Sequence, residues 1–371
     1  MSSVEAFENI ARGRDRQVTA RARHSRLHIA VTGALQRWAP HRPFSALRTR
    51  RYSTLPAVAR AQYNEGVTPD LIQIAPQPAP VKRPEWLRVR LPAGDNYFEL
   101  RRIMRGHGLH TVCESARCPN MAECWNHRTA TFMILGNLCT RRCAFCTVPK
   151  GKPLPLDWGE PEQVAEAAEL MGARYVVVTS VDRDDQPDGG ATIFARTIAA
   201  LRRRIEGVQV EVLIPDFRGS DEALGTVLEA APDVLNHNTE TVPRMYPVAR
   251  RGSRYERSLR LLRRSREIAP AIPTKSGLMV GLGETFDEVV AVLGDLQSAG
   301  VDIVTIGQYL RPSGIQLPVA RFYTPDEFAR LKREGERIGI RHVESGPLVR
   351  SSYHAHEQTE AYRGRVANES L

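Results

Sequence analysis

The stretch "YVVVTSVDRDDQPDGGATIFARTIAALRRRI" (residues 175–205) runs from a β-branched strand through a turn-rich bridge into an amphipathic helix. The same pairing recurs along the chain. Upstream, "TATFMILG" (129–136) is an apolar, β-prone run and "EPEQVAEAAELMGA" (160–173) has helical spacing. Downstream, "QVEVLIPD" (209–216) pairs with "DEALGTVLEAA" (221–231), and "DVLNHNT" (233–239) with "SRYERSLRLLRRSREI" (253–268). The last two pairs are "TKSGLMVGL" (274–282) with "TFDEVVAVLGDLQSAG" (285–300), and "DIVTIGQYL" (302–310) with "TPDEFARLKREGERIG" (324–339). Such alternation predicts an α/β chain of six β–α units, with parallel strands and helical crossovers. Ser220 and Thr324 are expected N-caps, with Pro325 in the first helical position. Six units fall short of the eight of a closed barrel, which leaves a partial, open barrel or a doubly wound sheet. Either architecture collects ligands at the C-terminal ends of its strands.

All six cysteines lie between Cys113 and Cys146. "CESARCPNMAEC" (113–124) spaces three as C-x4-C-x5-C, and "CTRRCAFC" (139–146) spaces three as C-x3-C-x2-C in the loop after the first strand. Clustered thiols in a chain without a secretory signal point to metal before disulfides. A structural zinc wants four ligands, and His107, His110 or His127 could complete one with either set. A [4Fe–4S] cube offers another use: three thiolates leave one iron open to a small molecule, whereas simple electron transfer normally uses four.

Charge narrows the partners. The net charge is +10, but residues 1–65 hold twelve arginines against four acids, and the remaining 40 basic and 38 acidic residues nearly balance. The folded portion therefore lacks the excess expected of a nucleic-acid binder. No run approaches the roughly 20 apolar residues of a membrane span. The Arg-rich start reads as a disordered extension or a start codon placed too early. A mitochondrial presequence is the alternative, opposed by Glu5, Glu8 and Asp15. The expected location is the cytoplasm, or the mitochondrial matrix if that alternative holds. "GLGET" (281–285) lacks the spacing of a dinucleotide-binding fingerprint.

The C-x3-C-x2-C motif, with Phe145 before its last cysteine, resembles the radical S-adenosylmethionine superfamily. "TVCESARCPNMAECW" (111–125), "GNLCTRRCAFC" (136–146), "VTSVDRDDQPDGGA" (178–191), "NHNTETVPRMYPVAR" (236–250), "KSGLMVGLGET" (275–285) and "GPLVRSSYHA" (346–355) together resemble the lipoyl synthase family, over roughly residues 85–356. The resemblance implies a partial (β/α)6 TIM-like barrel over 129–339. An N-terminal extension (66–128) and a C-terminal extension (340–371) would cover the barrel mouth.

It further implies two [4Fe–4S] clusters and S-adenosylmethionine. Cys139, Cys143 and Cys146 would hold the cluster whose open iron binds S-adenosylmethionine, with Phe145 packed beside it. Reductive cleavage would then give a radical that abstracts hydrogen from an unactivated carbon. Cys113, Cys118, Cys124 and Ser352 would hold an auxiliary cluster that donates sulfur. Taken alone, Ser352 reads as a surface hydroxyl, and Arg350 and Tyr353 read equally as structural or as neighbours of that cluster. Ser180, Asn238 and Glu240 are expected cofactor-binding residues at strand ends. Thr179, Asp182, Asn236, Lys275, Ser276, Gln308, Tyr309 and Arg311 are further candidates by position.

The implied reaction inserts two sulfur atoms at the sixth and eighth carbons of an octanoyl-lysine. That lysine would sit on a lipoyl-carrier domain or a glycine-cleavage carrier protein. Ferredoxin or flavodoxin would supply electrons, and neither nucleic acid nor membrane takes part. A biotin synthase-like sulfur-insertion enzyme and a non-catalytic iron–sulfur or zinc protein are the alternatives.

Overall fold

The computed structural model describes residues 82–89 and 93–369; the expectations for residues 1–65 lie outside the described residues. The strand-rich runs form β2 (Thr131–Ile134), β3 (Tyr175–Ser180), β4 (Gln209–Leu213), β5 (Val234–Asn236), β6 (Thr274–Val280) and β7 (Ile303–Gln308), each parallel to its neighbour and followed by its crossover. Two edge strands add to these six. β1 (His110–Thr111) pairs antiparallel to β2, and β8 (His342–Gly346) pairs parallel to β7, giving one sheet in sequence order. β8 lies in the segment expected to be a C-terminal extension. Its "HVESG" is short and mostly polar, so it carries no apolar run to announce a strand, and its register with β7 is set by pairing from Ile303↔His342 to Gly307↔Gly346.

Local chemistry sets the element boundaries. The helix Ala191–Arg204 buries Ile193, Phe194, Thr197, Ile198 and Leu201 on one side and ends in Arg202, Arg203 and Arg204, the favourable charge for its C-terminus. Gly190 before it adopts φ 92°, and a Cβ there would meet Leu135 Cδ1 at 2.3 Å, so the turn admits only glycine. The Ser220 hydroxyl accepts from Ala223 N at 3.2 Å, as expected. Thr324 and Glu327 form a capping box behind Pro325, and Thr285 and Glu288 form a second.

Side chains from the ends of β2, β3, β4 and β6 line one cavity, so the sheet is strongly curved. Among the described residues no ladder joins β8 to β1, and the barrel stays open. The two extensions divide between its ends. Residues 112–119 and 350–352 reach the cavity at the strand C-termini. The C-terminal helix Ala355–Glu369 instead lies at the strand starts. Thr359 meets the Tyr175 hydroxyl at 2.9 Å, Tyr362 reaches Asp302 at 3.4 Å, and Arg363 reaches Asp233 at 3.5 Å. Only a few residues of the C-terminal extension therefore cover the mouth.

Candidate active site

The cavity at the strand C-termini has a volume of about 1080 Å³ and brings together Cys113, Cys118, Cys139, Cys143, Phe145, Cys146, Ser180, Asn238, Glu240 and Ser352. Cys124 does not line it, but stands near enough to Cys113 and Cys118 for their charges to raise its pKa.

The loop 139–146 is closed on its own continuation at Cys139 and tied to the barrel at Thr140, Arg141 and Ala144. Cys139 N donates to Pro149 O at 2.9 Å, and Gly151 N returns to Cys139 O at 3.2 Å. The Thr140 hydroxyl donates to Asp182 O at 3.0 Å, and Ala144 N donates to Ala249 O at 2.8 Å. Arg141, only 4% exposed, is clamped by Asp182 at 3.2 Å, Asp184 at 2.8 Å and the fully buried Asp216 at 2.5 Å. Burial opposes the Asp216 charge, but Arg141 outweighs it and lowers the pKa to about 2. The sequence motif by itself gives Arg141 no role; the signal for this clamp is the acids that follow β3 and β4.

The second set is built otherwise. Cys113 opens a short turn capped by Thr111, whose side chain accepts from Glu114 N at 3.3 Å, and Cys118 N closes back on Cys113 O at 2.9 Å. Cys124 lies on the helix Met121–Asn126. The C-terminal segment is drawn to this region by three contacts. Asn120 Nδ2 donates to Leu348 O at 2.7 Å, the Tyr353 hydroxyl donates to Glu123 Oε1 at 2.9 Å, and His354 Nε2 stands 3.3 Å from the same oxygen. Gly307 on β7 permits the crossing, because a Cβ there would meet Val349 O at 2.1 Å. Thr147 Oγ1, donating to Ser115 O at 2.6 Å, ties the two cysteine segments together.

Burial raises every thiol pKa. It drives Cys139 and Cys143 to about 12, with Asp182 adding to the effect, Cys124 to about 12 and Cys113 to about 11. Cys118 and Cys146 shift the same way. Such thiols become ligands only when a metal replaces the proton. Among the described residues no three His, Cys, Asp or Glu side chains converge to hold a single ion. Within each set, however, the cysteines feel one another's charge. A cube takes one thiolate at each of three corners, whereas a single zinc gathers four ligands around one ion. One buried guanidinium serves each set: Arg250 acts on Cys143 and Arg350 on Cys118.

Two polar atoms fit a bound cofactor. Ser180 and Asn238 line the cavity, and their buried Oγ and Oδ1 atoms have no hydrogen-bond partner among the described residues. Glu240 accepts from Asn238 Nδ2 at 3.2 Å; burial raises its pKa against the pull of Arg250. Thr179, Asp182, Tyr309 and Arg311 also line the cavity.

Other positional candidates lie elsewhere. Lys275 and Asn236 are fully buried and bind the Glu211 carboxylate, at 3.1 and 3.0 Å, deep in the sheet. Ser276 stands 3.3 Å from the Thr239 hydroxyl, and Gln308 ties three backbone carbonyls. These four do not line the cavity: Lys275, Asn236 and Ser276 are spent on partners within the sheet, and Gln308 at the end of β7 is spent on the loops that follow β6 and β7.

A profile described as the Radical SAM superfamily matches residues 133–296, and one described as the N-terminal domain of lipoyl synthase of the Radical SAM family matches residues 70–118. A lipoyl synthase from Koribacter versatilis is 60% identical over 296 residues, covering 80% of this chain and 97% of that protein. One from Rubrobacter xylanophilus is 60% identical over 285 residues, covering 76% of this chain and 89% of that protein. One from Symbiobacterium thermophilum is 59% identical over 278 residues, covering 75% and 87%.

Proposed function

The chain belongs to the lipoyl synthase family of the radical SAM superfamily, and from that premise we propose how its residues divide the work of inserting two sulfur atoms at the sixth and eighth carbons of an octanoyl-lysine. The family binds S-adenosylmethionine and a [4Fe–4S] cluster. Cys139, Cys143 and Cys146 would hold that cluster. Cys113, Cys118, Cys124 and Ser352 would hold a second one. When bound, these groups supply the radical that breaks an unactivated C–H bond and the sulfur that replaces the hydrogen, chemistry that side-chain acids and bases cannot perform.

The protein's part is binding, orientation and water exclusion. Phe145 packs against Ala249, Leu282 and Tyr309 and presents an apolar wall beside the motif. Ser180 and Asn238 offer their free oxygens to the cofactor's amino or ribose groups, and Glu240 sits beside them. Met133, Leu213, Met279, Val319 and Phe322 give the cavity a lining suited to an alkyl chain. The substrates are lipoyl-carrier proteins, and a ferredoxin or flavodoxin would supply electrons. No described helix is long and apolar enough to cross a membrane.

The observation that carries the two-cluster reading is the convergence of five cysteines and Ser352 on one cavity, with Cys124 coupled to its partners. The three-plus-three cysteine arrangement with the R-S-S-Y segment at 350–353 argues against the biotin synthase-like alternative. Anaerobic incubation of reconstituted protein with an octanoyl-lysyl peptide, reductant and S-adenosylmethionine tests the assignment by mass spectrometry. The expected product carries two added sulfurs, and the loaded protein about eight iron and eight sulfide. About four of each, with full sulfur insertion, would remove the second cluster.

A further inference from the structure

The rim of the cavity carries positive charge that the site within does not use. Inside, Arg141 is matched by three carboxylates, Arg250 lies near Glu240, and Arg350 faces Cys118. At the opening, Arg83, Arg117, Lys150 and Arg311 are exposed. None of the four pairs with a carboxylate among the described residues. Arg117 donates to Pro312 O at 3.1 Å, Arg311 to Gln316 O at 2.8 Å, and Lys150 to the Cys146 carbonyl. Exposed arginines on the outer helices, by contrast, often find acids, as Arg204 does with Glu169 and Arg260 with Asp221.

Apolar side chains accompany these cations. Val89 lines the opening and is 38% exposed, and Trp86 on the same segment is 39% exposed. Ile315 is 91% exposed on the turn that Arg311 braces through Gly314 and Gln316. An isoleucine so exposed on a braced turn contributes nothing to the core.

We propose that this rim is the docking surface for an acidic face of the folded domain that carries the acyl-lysine, an inference that rests on the acyl-carrier reading above. The acyl chain is an arm fixed to a protein surface. For its end to enter the cavity, the surface at its base must come to rest on the rim. Cations without counter-charges select a carboxylate-rich face and steer its approach, and a few apolar contacts add affinity without trapping the product.

The test uses the cluster-loaded enzyme and three octanoylated substrates. One is a carrier domain with an acidic face around the lysine, one is that domain with those carboxylates changed to amides, and one is a short uncharged peptide. The Arg83→Glu/Ile315→Asp variant should raise KM for the acidic domain about tenfold and leave the peptide within about twofold. The wild-type preference for the acidic domain over its amide form should shrink as salt rises. Arg333→Glu, on the outer helix Pro325–Ile338, should change neither. Equal KM for the acidic and amide domains, or a variant that affects domain and peptide alike, overturns the docking surface. Wild-type turnover of none of the three overturns the acyl-carrier reading itself.

Discussion

The two cysteine sets reach one cavity by opposite constructions. Loop 139–146 hangs from the barrel, fastened by backbone bonds on both sides and by Arg141 on three carboxylates. Its guanidinium neighbour, Arg250, is already held by the Tyr246 and Ser258 hydroxyls, each at 3.1 Å. The second set needs the two ends of the fold to meet. The contact from Asn120 to Leu348 spans 228 residues, and among the described residues Arg350 bonds only to its own neighbour's carbonyl, Val349 O, at 2.6 Å. Burial lowers the Arg350 pKa, and Cys118 is the charge that opposes it. The first site is thus preorganised by the barrel, whereas the second depends on a long-range closure that can open separately. A cluster kept intact and a cluster that gives up sulfur would call for that difference.

The largest expected effect separates the sets outright. Cys143→Ala should abolish cleavage of S-adenosylmethionine, because two thiolates cannot hold a cube with a defined open iron. Cys118→Ala should keep cleavage and lose sulfur insertion. If both activities vanish together in folded, cluster-containing Cys118→Ala protein, the comparison between the sets fails. Ser352→Ala should follow Cys118→Ala. Ser351→Ala should be milder, since the Ser351 hydroxyl turns to Asn238 Nδ2 at 3.5 Å. Full lipoyl product from Ser352→Ala would remove that serine from the site.

Arg141→Leu comes next. It removes the nearer guanidinium from the buried Asp216 and leaves that carboxylate Arg257 at 3.3 Å, so the loss should be about 1–3 kcal/mol. Chemical denaturation should show that loss, with loop 139–151 exchanging its amides faster while residues 112–124 change little. Equal loosening of both regions would mean that the clamp serves the whole mouth.

The barrel was legible because its signals are local and repeated. The valine run of β3 and the caps at Ser220 and Thr324 each declare an element within a few residues. β8 was not, since its strand character comes from pairing with β7. The grouping of the cysteines at the cavity was legible through spacing, and the arrival of Ser352 there only through resemblance, because the contacts that bring it in are contributed by Gly307, Asn120 and Glu123, far away in sequence. Position along a strand likewise could not tell Asn238, which lines the cavity, from Asn236, which does not. That distinction depends on Glu211, a buried acid that the strand pattern alone would place outside the core.

A pH measurement sharpens the preorganised side. His237 Nδ1 donates to Ile214 O at 2.8 Å, because a carbonyl can only accept, and Nε2 therefore accepts from Ser258 Oγ at 2.9 Å. Burial first, then Arg250, lowers its pKa to about 3. Between its ordinary value of 6.5 and about 3 the unfolded chain binds the extra proton, so stability falls as pH falls through that window. The slope should be about 1.4 kcal/mol per pH unit, and the difference between wild type and His237→Asn should report it. A difference that does not vary with pH would mean that His237 does not brace Ser258 and Arg250 as a neutral ring.

The smallest effect probes the long-range closure from the opposite end of the barrel. The Tyr175 hydroxyl sits between Glu211 Oε2, at 2.8 Å, and Thr359 Oγ1, at 2.9 Å. It thereby joins the C-terminal helix to the buried Lys275–Glu211 pair. Tyr175→Phe keeps the ring and removes one link, at a cost of about 1 kcal/mol. The C-terminal helix follows Ser352 after two residues, so loosening it slackens the segment that carries the serine. Amide exchange in Ala355–Glu369 should accelerate about fivefold, and iron should leave the second set faster under chelation, while the first set is unchanged. Acceleration that stops at the helix and leaves iron retention untouched would show that Asn120 and Glu123 suffice to hold residues 348–354. Closure would then be local to the mouth, and the C-terminal helix only a plug at the strand starts.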